Sequence, residues 1–507
     1  MTTTHTTPVE RAIAAIAPAE LTSFLRRQRW FAAKGDQPTV PRIVSVIVTP
    51  WGDGQFAIAR VEVDVGGDVH LYQLPIAARQ SPSSAVAATA VIANLAVDGA
   101  PVSIYDAVYD AEFRDGLAKA TQTGCTIESD PRVRWIADPI EESRPVAPVN
   151  AETRVVSAEQ SNTSIVVGDQ IILKLFRRLH PGPNPDIEVT RFLTARARFA
   201  GAPALFAELR FDDDGIATTS GVAQAYLPGT SDGWTYTLER SRSYFAAPAD
   251  RDVPNTFVDD AKKLGAITRE LHEALASDDD DPDFAPEAVT PEARDRWAHR
   301  TQQAIRDSLS LLEQRVSSAD FPRDRAPEAQ ALVRRRDHYL GWIDEIDDQL
   351  GDDLGMQTRI HGDLHLGQIL RARDGSFKII DFEGEPSRSL AERREKTSPL
   401  RDVAGMLRSF SYAAATLAQT AAKSAPPHVR EVRIGRWERD VRAAYLSGYL
   451  GETDEPGLLP DEESHTRQLI ALFETEKAFY ELAYELNHRP AWVWIPMRGI
   501  AKLFTKH

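Results

Sequence analysis

Apolar and polar residues alternate with a period of two in the first part of the chain, which predicts β-strands. The alternating runs cover residues 42–48, 56–65 and 69–74 and are rich in β-branched side chains. Glycine-rich turns at 52–54 and 66–68 separate these runs, so we expect an antiparallel sheet. An amphipathic helix pattern over 9–30 precedes it.

A second, smaller group of strands follows. The sequences Ile165–Val167 and Ile171–Phe176 predict two strands joined by the turn Gly168-Asp169. A helix is predicted to begin at 184–186, where proline and acidic residues occupy the first turn. One further strand is predicted over 222–227.

The rest of the chain has mainly helical periodicity, with apolar residues recurring at three and four positions. Helices are predicted over 257–275, 297–316, 329–350 and 400–421, with two more near the C-terminus. Within this region Ile369-Leu370 and Phe377–Ile380 predict a β-hairpin around the turn Asp374-Gly375. The order of elements therefore predicts an α+β protein with a mostly helical C-terminal part.

Composition narrows the classes of partner. The chain has 507 residues and a net charge of -16, which argues against nucleic acid and anionic membranes as partners. Its one cysteine, Cys125, excludes a disulfide framework. The polar N-terminus resembles no secretory signal, and the most apolar window, 85–100, is too short to span a bilayer. We therefore expect a cytoplasmic protein.

The hairpin region carries the clearest candidate chemistry. Asp363 precedes Gln368 by five residues, and Asp381 follows the second strand of the hairpin. A carboxylate that takes a proton from an acceptor hydroxyl, followed by an amide and a carboxylate that bind Mg²⁺, is the layout of a kinase catalytic loop. The spacing therefore predicts phosphoryl transfer from ATP, with Asp363 as the base and Gln368 and Asp381 as metal ligands.

An alternative takes His361, Asp363 and His365 as a transition-metal site. We favour the kinase interpretation, because no second metal-binding cluster accompanies the motif, and His361 is then expected to brace the loop. Asp402, at the start of a helix, either stabilises that helix N-terminus or anchors the loop from beneath.

Two upstream charges fit the same chemistry. Lys174 lies in the middle of a predicted strand and Glu188 on the helix that follows, the arrangement of a phosphate-holding lysine and its glutamate partner. The alternative is two unrelated surface charges.

The polar segment before these strands lies where a phosphate-covering loop is expected, although it has no glycine; its residues are Ser161, Asn162, Thr163 and Ser164.

Near the C-terminus, Lys477, Glu481 and Tyr484 fall on one helical face. A face with hydrogen-bonding groups and aromatic rings suits a sugar, whose hydroxyls and C–H faces need both. The alternative is a solvated surface helix.

These residues resemble the actinobacterial maltokinases, and the similarity runs in order over nearly the whole chain. The blocks that carry it are Arg27–Trp30, Glu159–Ser164, Ile172–Arg178, Asn184–Glu188, His361–Gln368, Ile380–Pro386, Ser398–Gly405, Lys477–Glu481 and Arg489-Pro490. The resemblance implies a bilobal protein-kinase-like fold of the aminoglycoside phosphotransferase type. It places an N-terminal cap at 1–85, an intermediate ATP-binding subdomain at 86–227 and a helical C-lobe at 228–507.

The resemblance also implies roles for individual residues. Asp363 would be the base, Gln368 and Asp381 the Mg²⁺ ligands, Lys174 and Glu188 the phosphate-holding pair, and the segment from Gln224 to Tyr226 the adenine-contacting hinge. On the sugar side it implies His361, Tyr480, Glu481, Tyr484 and Arg489.

The activity implied by the resemblance is ATP- and Mg²⁺-dependent phosphorylation of the anomeric hydroxyl of maltose for α-glucan synthesis. Leu486-Asn487 replaces a family arginine and Trp494 adds a tryptophan, so a monosaccharide such as glucosamine is the alternative acceptor. A hypothesis from another class is a non-catalytic, nucleotide-sensing module. We expect a monomer, and the resemblance implies functional coupling to a trehalose-processing enzyme.

Overall fold

The computed structural model describes most of the chain. The described residues are 6–31, 40–80, 86–130, 133–143, 151–156, 162–247, 253–351, 353–385, 388–420, 427–451 and 457–504. The chain divides into two compact units. The first comprises Met1–Ala195 and Pro203–Pro228, and the second comprises Arg196–Ala202 and Gly229–His507. The predicted subdomain boundaries at residues 85 and 227 stay a prediction.

The described residues of the first unit form two antiparallel sheets and four α-helices. Its helices are α1 (Pro8–Ala14), α2 (Pro18–Arg27), α3 (Ala111–Thr123) and α4 (Pro185–Ala195). Its strands are β1 (Arg42–Val48), β2 (Phe56–Val65), β3 (Asp68–Arg79), β4 (Val91–Val97), β5 (Ala100–Asp106), β6 (Cys125–Asp130), β7 (Val133–Pro139), β8 (Thr153–Val156), β9 (Asn162–Val167), β10 (Ile171–Phe176), β11 (Arg178-Leu179), β12 (Leu205–Asp213) and β13 (Ile216–Ala225).

The first sheet confirms the period-two prediction. Its order is β1-β2-β3-β5-β4, with β11 added beside β3. Gly66 and Gly67 make the turn between β2 and β3 with φ of +67° and +101°, a conformation that glycine adopts without strain. The predicted single helix over 9–30 is wrong, because Ala17 is extended (ψ 140°) and Pro18 begins a second helix.

The second sheet has the order β6-β7-β12-β13-β10-β9-β8 and places the candidate nucleotide residues. Lys174 on β10 lies opposite Ser164 on β9 and Val222 on β13. Strand β9 begins at Asn162, three residues earlier than predicted, because 162–164 pair with the end of β10. A core around Trp135, Phe211 and Leu173 supports this sheet.

The second unit is mostly helical, as predicted. Its helices are α5 (Gly233–Ala246), α6 (Val258–Leu275), α7 (Pro291–Arg315), α8 (Ala326–Arg334), α9 (Arg336–Gln349), α10 (Leu390–Arg394), α11 (Leu400–Thr420), α12 (Pro427–Tyr449), α13 (Glu463–His488) and α14 (Trp494–Leu503). Its short strands are β14 (Ser231-Asp232), β15 (Glu287-Ala288), β16 (Met356-Gln357), β17 (Ile369–Arg371) and β18 (Phe377–Ile379).

The predicted hairpin is present as β17 and β18, in which Ile369 lies opposite Ile379. The predicted helix over 329–350 is instead two helices, because the backbone of Arg335 leaves the helical conformation (φ -94°, ψ 11°). Within the described ranges, no helix is both long and apolar enough to cross a lipid bilayer.

Candidate active site

The Asp363 loop, residues 361–368, is held from below by helix α11. Asp402 is 2% exposed and accepts hydrogen bonds from the backbone N–H groups of His361 (2.8 Å) and Gly362 (2.9 Å). The ring of His272 lies 3.1 Å from the same carboxylate. Of the two alternatives for Asp402, these contacts support the loop anchor.

Asp363 lies at the centre of this site. Its Oδ1 is 3.2 Å from Lys477 Nζ, and its Oδ2 is 3.9 Å from His365 Nε2. Burial alone would raise the pKa of the Asp363 carboxyl, but the charge of Lys477, with a smaller contribution from His365, holds that pKa below its usual value. Asp363 is therefore ionised, as a proton acceptor must be.

His361 is only 1% exposed, and both of its ring nitrogens make hydrogen bonds to the backbone. Nε2 lies 3.0 Å from the carbonyl oxygen of Ile380, and Nδ1 accepts the backbone N–H of Asp363 (3.3 Å). Because a carbonyl can only accept, Nε2 carries the proton. His361 thus braces the loop against the residue that follows β18, and the sugar-side role that the resemblance implies stays a prediction.

The hairpin brings Gln368 and Asp381 together. The side-chain amide nitrogen of Gln368 donates to Asp381 Oδ2 (2.9 Å). The backbone N–H of Ile380 donates to the backbone carbonyl oxygen of Gln368 (3.0 Å). Asp381 has a φ of +70°, in the left-handed region that is costly for a residue other than glycine. An amide oxygen beside a carboxylate is a donor set that suits Mg²⁺.

The transition-metal alternative finds no support. In the part of the chain that the structure describes, no group of three His, Cys, Asp or Glu side chains could hold a metal ion.

Helix α13 lines a cavity of about 1010 Å³, here called the Tyr480 cavity. Its lining includes Asp363, Lys477, Tyr480, Glu481, Tyr484 and Arg489. The predicted polar-aromatic face of this helix therefore faces a cavity. The rings of Tyr480 and Tyr484 lie 6.5 Å apart, and Tyr484 stacks on His488 at 4.4 Å.

Two carboxylates of α13 in this cavity are held by arginines. Glu481 Oε2 accepts hydrogen bonds from Arg408 Nε (2.9 Å) and Nη2 (2.6 Å). Burial raises the pKa of Glu481 more than the charge of Arg408 lowers it. Arg489 donates from Nε (3.0 Å) and Nη2 (2.7 Å) to Glu485, which also accepts from the hydroxyl of Tyr412 (3.1 Å).

The residues that depart from the maltokinase pattern fall in different places. Asn487 lines the Tyr480 cavity, whereas Leu486 is buried with 3% exposure. Trp494 lies elsewhere, 5.8 Å from the guanidinium of Arg325, and lines a separate cavity of about 650 Å³. Trp492 lines the Tyr480 cavity instead.

The nucleotide-side candidates lie in the first unit. Lys174 is on β10 and Glu188 in the first turn of α4, and their ion pair stays a prediction. Gln224 is on β13 with 7% exposure, and the hydroxyl of Tyr226 accepts from Arg154 (3.2 Å).

The predicted phosphate-covering residues differ in their surroundings. Ser161 lies outside the described residues, and Asn162 begins β9. The hydroxyl of Thr163 accepts Arg177 Nε (2.8 Å), and Ser164 is 0% exposed. Thr163 and Ser164 are thus largely buried, and their contact with a nucleotide stays a prediction.

Sequence reasoning missed most of the second-unit residues that surround Asp363. Lys477 was placed on the right helical face without a role, and Ser409 and Tyr412 were not singled out. A signal was present in α11, where Asp402, Gly405, Ser409 and Tyr412 recur at three- and four-residue spacing. Ser409 accepts the backbone N–H of Leu366 (3.1 Å), so this stripe supports the Asp363 loop and the cavity.

Gly405 offers a test of how closely α11 approaches the loop. A Cβ at this position would lie 2.8 Å from the carbonyl oxygen of Leu364. Gly405→Ala should therefore lower the free energy of unfolding by about 1–3 kcal/mol, the usual range for overpacking. At Gly341, inside α9, a Cβ would meet nothing within 4 Å. Gly341→Ala should then raise the free energy of unfolding by about 0.5–1 kcal/mol.

Urea unfolding of both variants measures whether the free energy of unfolding falls in Gly405→Ala and rises in Gly341→Ala. A Gly405→Ala protein as stable as the parent would contradict the close approach of α11 to the loop.

Comparison with known proteins identifies similar chains. A family model described as the maltokinase N-terminal cap domain matches residues 24–110. A glucosamine kinase of Mycolicibacterium smegmatis is 28% identical over 356 residues, covering 70% of this chain and 80% of the relative. A glucosamine kinase of Streptacidiphilus jiangxiensis is 26% identical over 368 residues, covering 71% and 75%.

Among solved structures, a glucosamine kinase in complex with glucosamine, ADP and inorganic phosphate superimposes with a TM-score of 0.65. It is 20% identical, and the match covers 99% of this chain and 100% of that one. This likeness confirms the predicted α+β kinase fold.

Proposed function

We propose that the chain transfers the γ-phosphate of ATP to a hydroxyl of an amino sugar, with glucosamine as the leading acceptor. The match to a maltokinase N-terminal cap domain and the kinase fold support phosphoryl transfer to a sugar. The relatives named glucosamine kinase support the acceptor class, and the lining of the Tyr480 cavity carries the proposal.

The Tyr480 cavity has an excess of acidic side chains. Among the described residues that line it, four are acids (Asp363, Glu385, Glu481 and Glu485) and two are permanently charged bases (Lys477 and Arg489). Arginines pair with two of these acids, Glu481 and Glu485, so the lining offers carboxylate hydrogen-bond acceptors for the ammonium of a protonated amino sugar rather than a net negative field. The neighbouring rings of Tyr480 and Tyr484 suit the C–H faces of a pyranose.

The proposed mechanism assigns each residue a task. Asp363 accepts the proton of the acceptor hydroxyl as that oxygen attacks the γ-phosphorus, and the bond from the γ-phosphorus to the bridging oxygen breaks so that ADP leaves. Gln368 and Asp381 would hold Mg²⁺, which neutralises charge on the phosphate oxygens when bound. Asp402 and His361 keep the Asp363 loop in place. Lys174, paired with Glu188, is proposed to hold the nucleotide phosphates.

Maltose is the second candidate acceptor. Two observations favour it: the cap-domain match at residues 24–110 and the size of the Tyr480 cavity. Ligand pockets in general span roughly 300–1,000 Å³. The volume of about 1010 Å³ lies at the upper end of that range, which leaves room for a disaccharide.

A panel of acceptors tests the proposal. Phosphorus NMR of reactions with ATP and Mg²⁺ would identify the products formed from glucosamine, glucose, N-acetylglucosamine and maltose. Glucose is the matched control, because it differs from glucosamine only by a hydroxyl in place of the amino group. We expect kcat/KM to be at least about tenfold higher for glucosamine than for glucose, equivalent to about 1.4 kcal/mol.

Each other outcome of the panel has a meaning. A higher kcat/KM for maltose would replace the amino sugar by maltose as acceptor. ATP binding without phosphate transfer to any sugar would favour the nucleotide-sensing module over a kinase.

A further inference from the structure

We propose that Lys477 is a positioning residue, which holds the carboxylate of Asp363 in its reactive orientation as one member of a chain of alternating charges. The inference rests on the proposed function, in which Asp363 is the base.

The chain of charges begins at the base and alternates in sign at every step. Lys477 Nζ lies 3.2 Å from Asp363 Oδ1 and 3.9 Å from Glu385 Oε2. Glu385 in turn lies 3.5 Å from Arg388, and Arg388 lies 3.1 Å from Glu476. Arg401 ends the chain, 2.8 Å from Glu476. Its members, here called the charge chain, are Asp363, Lys477, Glu385, Arg388, Glu476 and Arg401.

The charge chain joins four segments that are distant in sequence. These are the Asp363 loop, the segment after β18, the start of α11 and the middle of α13. All six members line one cavity of about 130 Å³, here called the inner cavity. Within this cavity the ion pairs with Asp363 and Glu385 locate the Lys477 ammonium.

The position of Lys477 determines which oxygen of Asp363 can react. Lys477 binds Oδ1, so Oδ2 remains as the oxygen that can take a proton. The Lys477 ammonium is itself located by Glu385 and by the ring of Tyr480, whose centroid lies 4.9 Å away. Burial would lower the pKa of Lys477, but Glu385 and Asp363 raise it above its usual value, so this residue stays charged.

The charge of Lys477 also affects the ionisation of Asp363. The other ionisable groups around Asp363 come from every neighbouring segment. His361 and His365 lie on its own loop, and Glu385, Arg388, Asp402, Tyr480 and Glu481 line the cavities that Asp363 lines. Among the cationic groups, Lys477 contributes most to keeping Asp363 ionised, with smaller contributions from His365 and His361. Activity is lost as pH falls through the pKa of Asp363, and removing Lys477 should move that acid limb to higher pH.

The test compares Lys477→Met with Lys477→Arg at saturating ATP and Mg²⁺. For Lys477→Met we expect lower kcat/KM for the acceptor, little change in the KM for ATP, and an acid limb of the pH profile raised by about 1–3 units. Lys477→Arg keeps the charge and should keep the acid limb within about half a unit. Should Lys477→Met fail to fold, Lys477→Gln removes the same charge with a polar side chain.

Arg442→Met is the matched control. It breaks another largely buried ion pair of α13, in which Arg442 Nη1 lies 2.6 Å from Glu474 Oε1. This control should lower the melting temperature without moving the acid limb. An unshifted acid limb in Lys477→Met, or the same shift in Arg442→Met, would overturn the role of Lys477.

A second measurement separates this inference from the proposed function. The carboxyl ¹³C shift of Asp363, assigned with Asp363→Asn, reports its pKa by NMR without any turnover. A raised pKa in Lys477→Met supports the inference even if no sugar of the panel is phosphorylated, and an unchanged pKa rejects it even if the panel identifies an acceptor.

Discussion

Asp363→Asn should lower kcat by about 10²–10⁴-fold, the usual contribution of a positioned general base. Asparagine has nearly the shape of aspartate and its amide oxygen can still accept a hydrogen bond from the acceptor hydroxyl. It cannot take the proton as the hydroxyl oxygen attacks phosphorus. The loss should therefore appear in kcat, with much smaller changes in the KM values for ATP and sugar, and steady-state kinetics on the best acceptor would measure it.

The matched control makes the same change on the nearby hairpin turn. Asp374 accepts hydrogen bonds from the backbone N–H (2.9 Å) and the hydroxyl (2.8 Å) of Ser376, and an asparagine oxygen can accept both. Asp374→Asn should therefore keep kcat within a factor of about two. If Asp363→Asn retained near-parental kcat, another group would have to be the base.

The hairpin was predictable because its signals are local. Two short apolar runs flank Asp374-Gly375, and Gly375 adopts a φ of +92° in the turn. In the hairpin register Ile369 lies opposite Ile379, so Gln368 and Asp381, which flank these strands, lie next to each other. Sequence alone therefore placed the two candidate metal ligands side by side.

Charge partners were not predictable, because they are distant in sequence. Lys477 lies 114 residues from Asp363 along the chain. Helical periodicity placed Lys477 and Glu481 on one face of α13 but gave no information about the other segments around that face. Arg408 lies on a different helix, so its contact with Glu481 could not be inferred from spacing.

The start of β9 was predicted three residues too late for a related reason. Polar residues predict a loop when considered alone, but the register of β10 recruits this segment into β9. Pairing with a neighbouring strand overrides local preference, which is weak for β-structure. The side chains of Thr163 and Ser164 are buried as a consequence.

Asp402→Ala should damage both the stability and the activity of the protein. Asp402 accepts two backbone N–H groups of the Asp363 loop and lies 3.1 Å from His272 Nε2, whose ring is also buried. Removing the carboxylate leaves these donors without their acceptor. Breaking a buried polar network of this kind costs about 3–5 kcal/mol in the free energy of unfolding.

The two effects of Asp402→Ala separate the anchor from the base. Displacement of the loop by about 1 Å would also lower kcat by about 10²-fold, because Asp363 would no longer meet the acceptor. Asp363→Asn, in contrast, should lower kcat with little loss of stability. Urea unfolding and steady-state kinetics on both variants would measure this difference.

Asp440→Ala provides the matched control, because Asp440 is a half-buried acid of α12 whose ion pair with Arg436 spans 4.0 Å. It should change the free energy of unfolding by less than about 1 kcal/mol. An Asp402→Ala protein as stable as this control would show that the loop holds its conformation without Asp402, and its support would then have to come from His361 and Ser409.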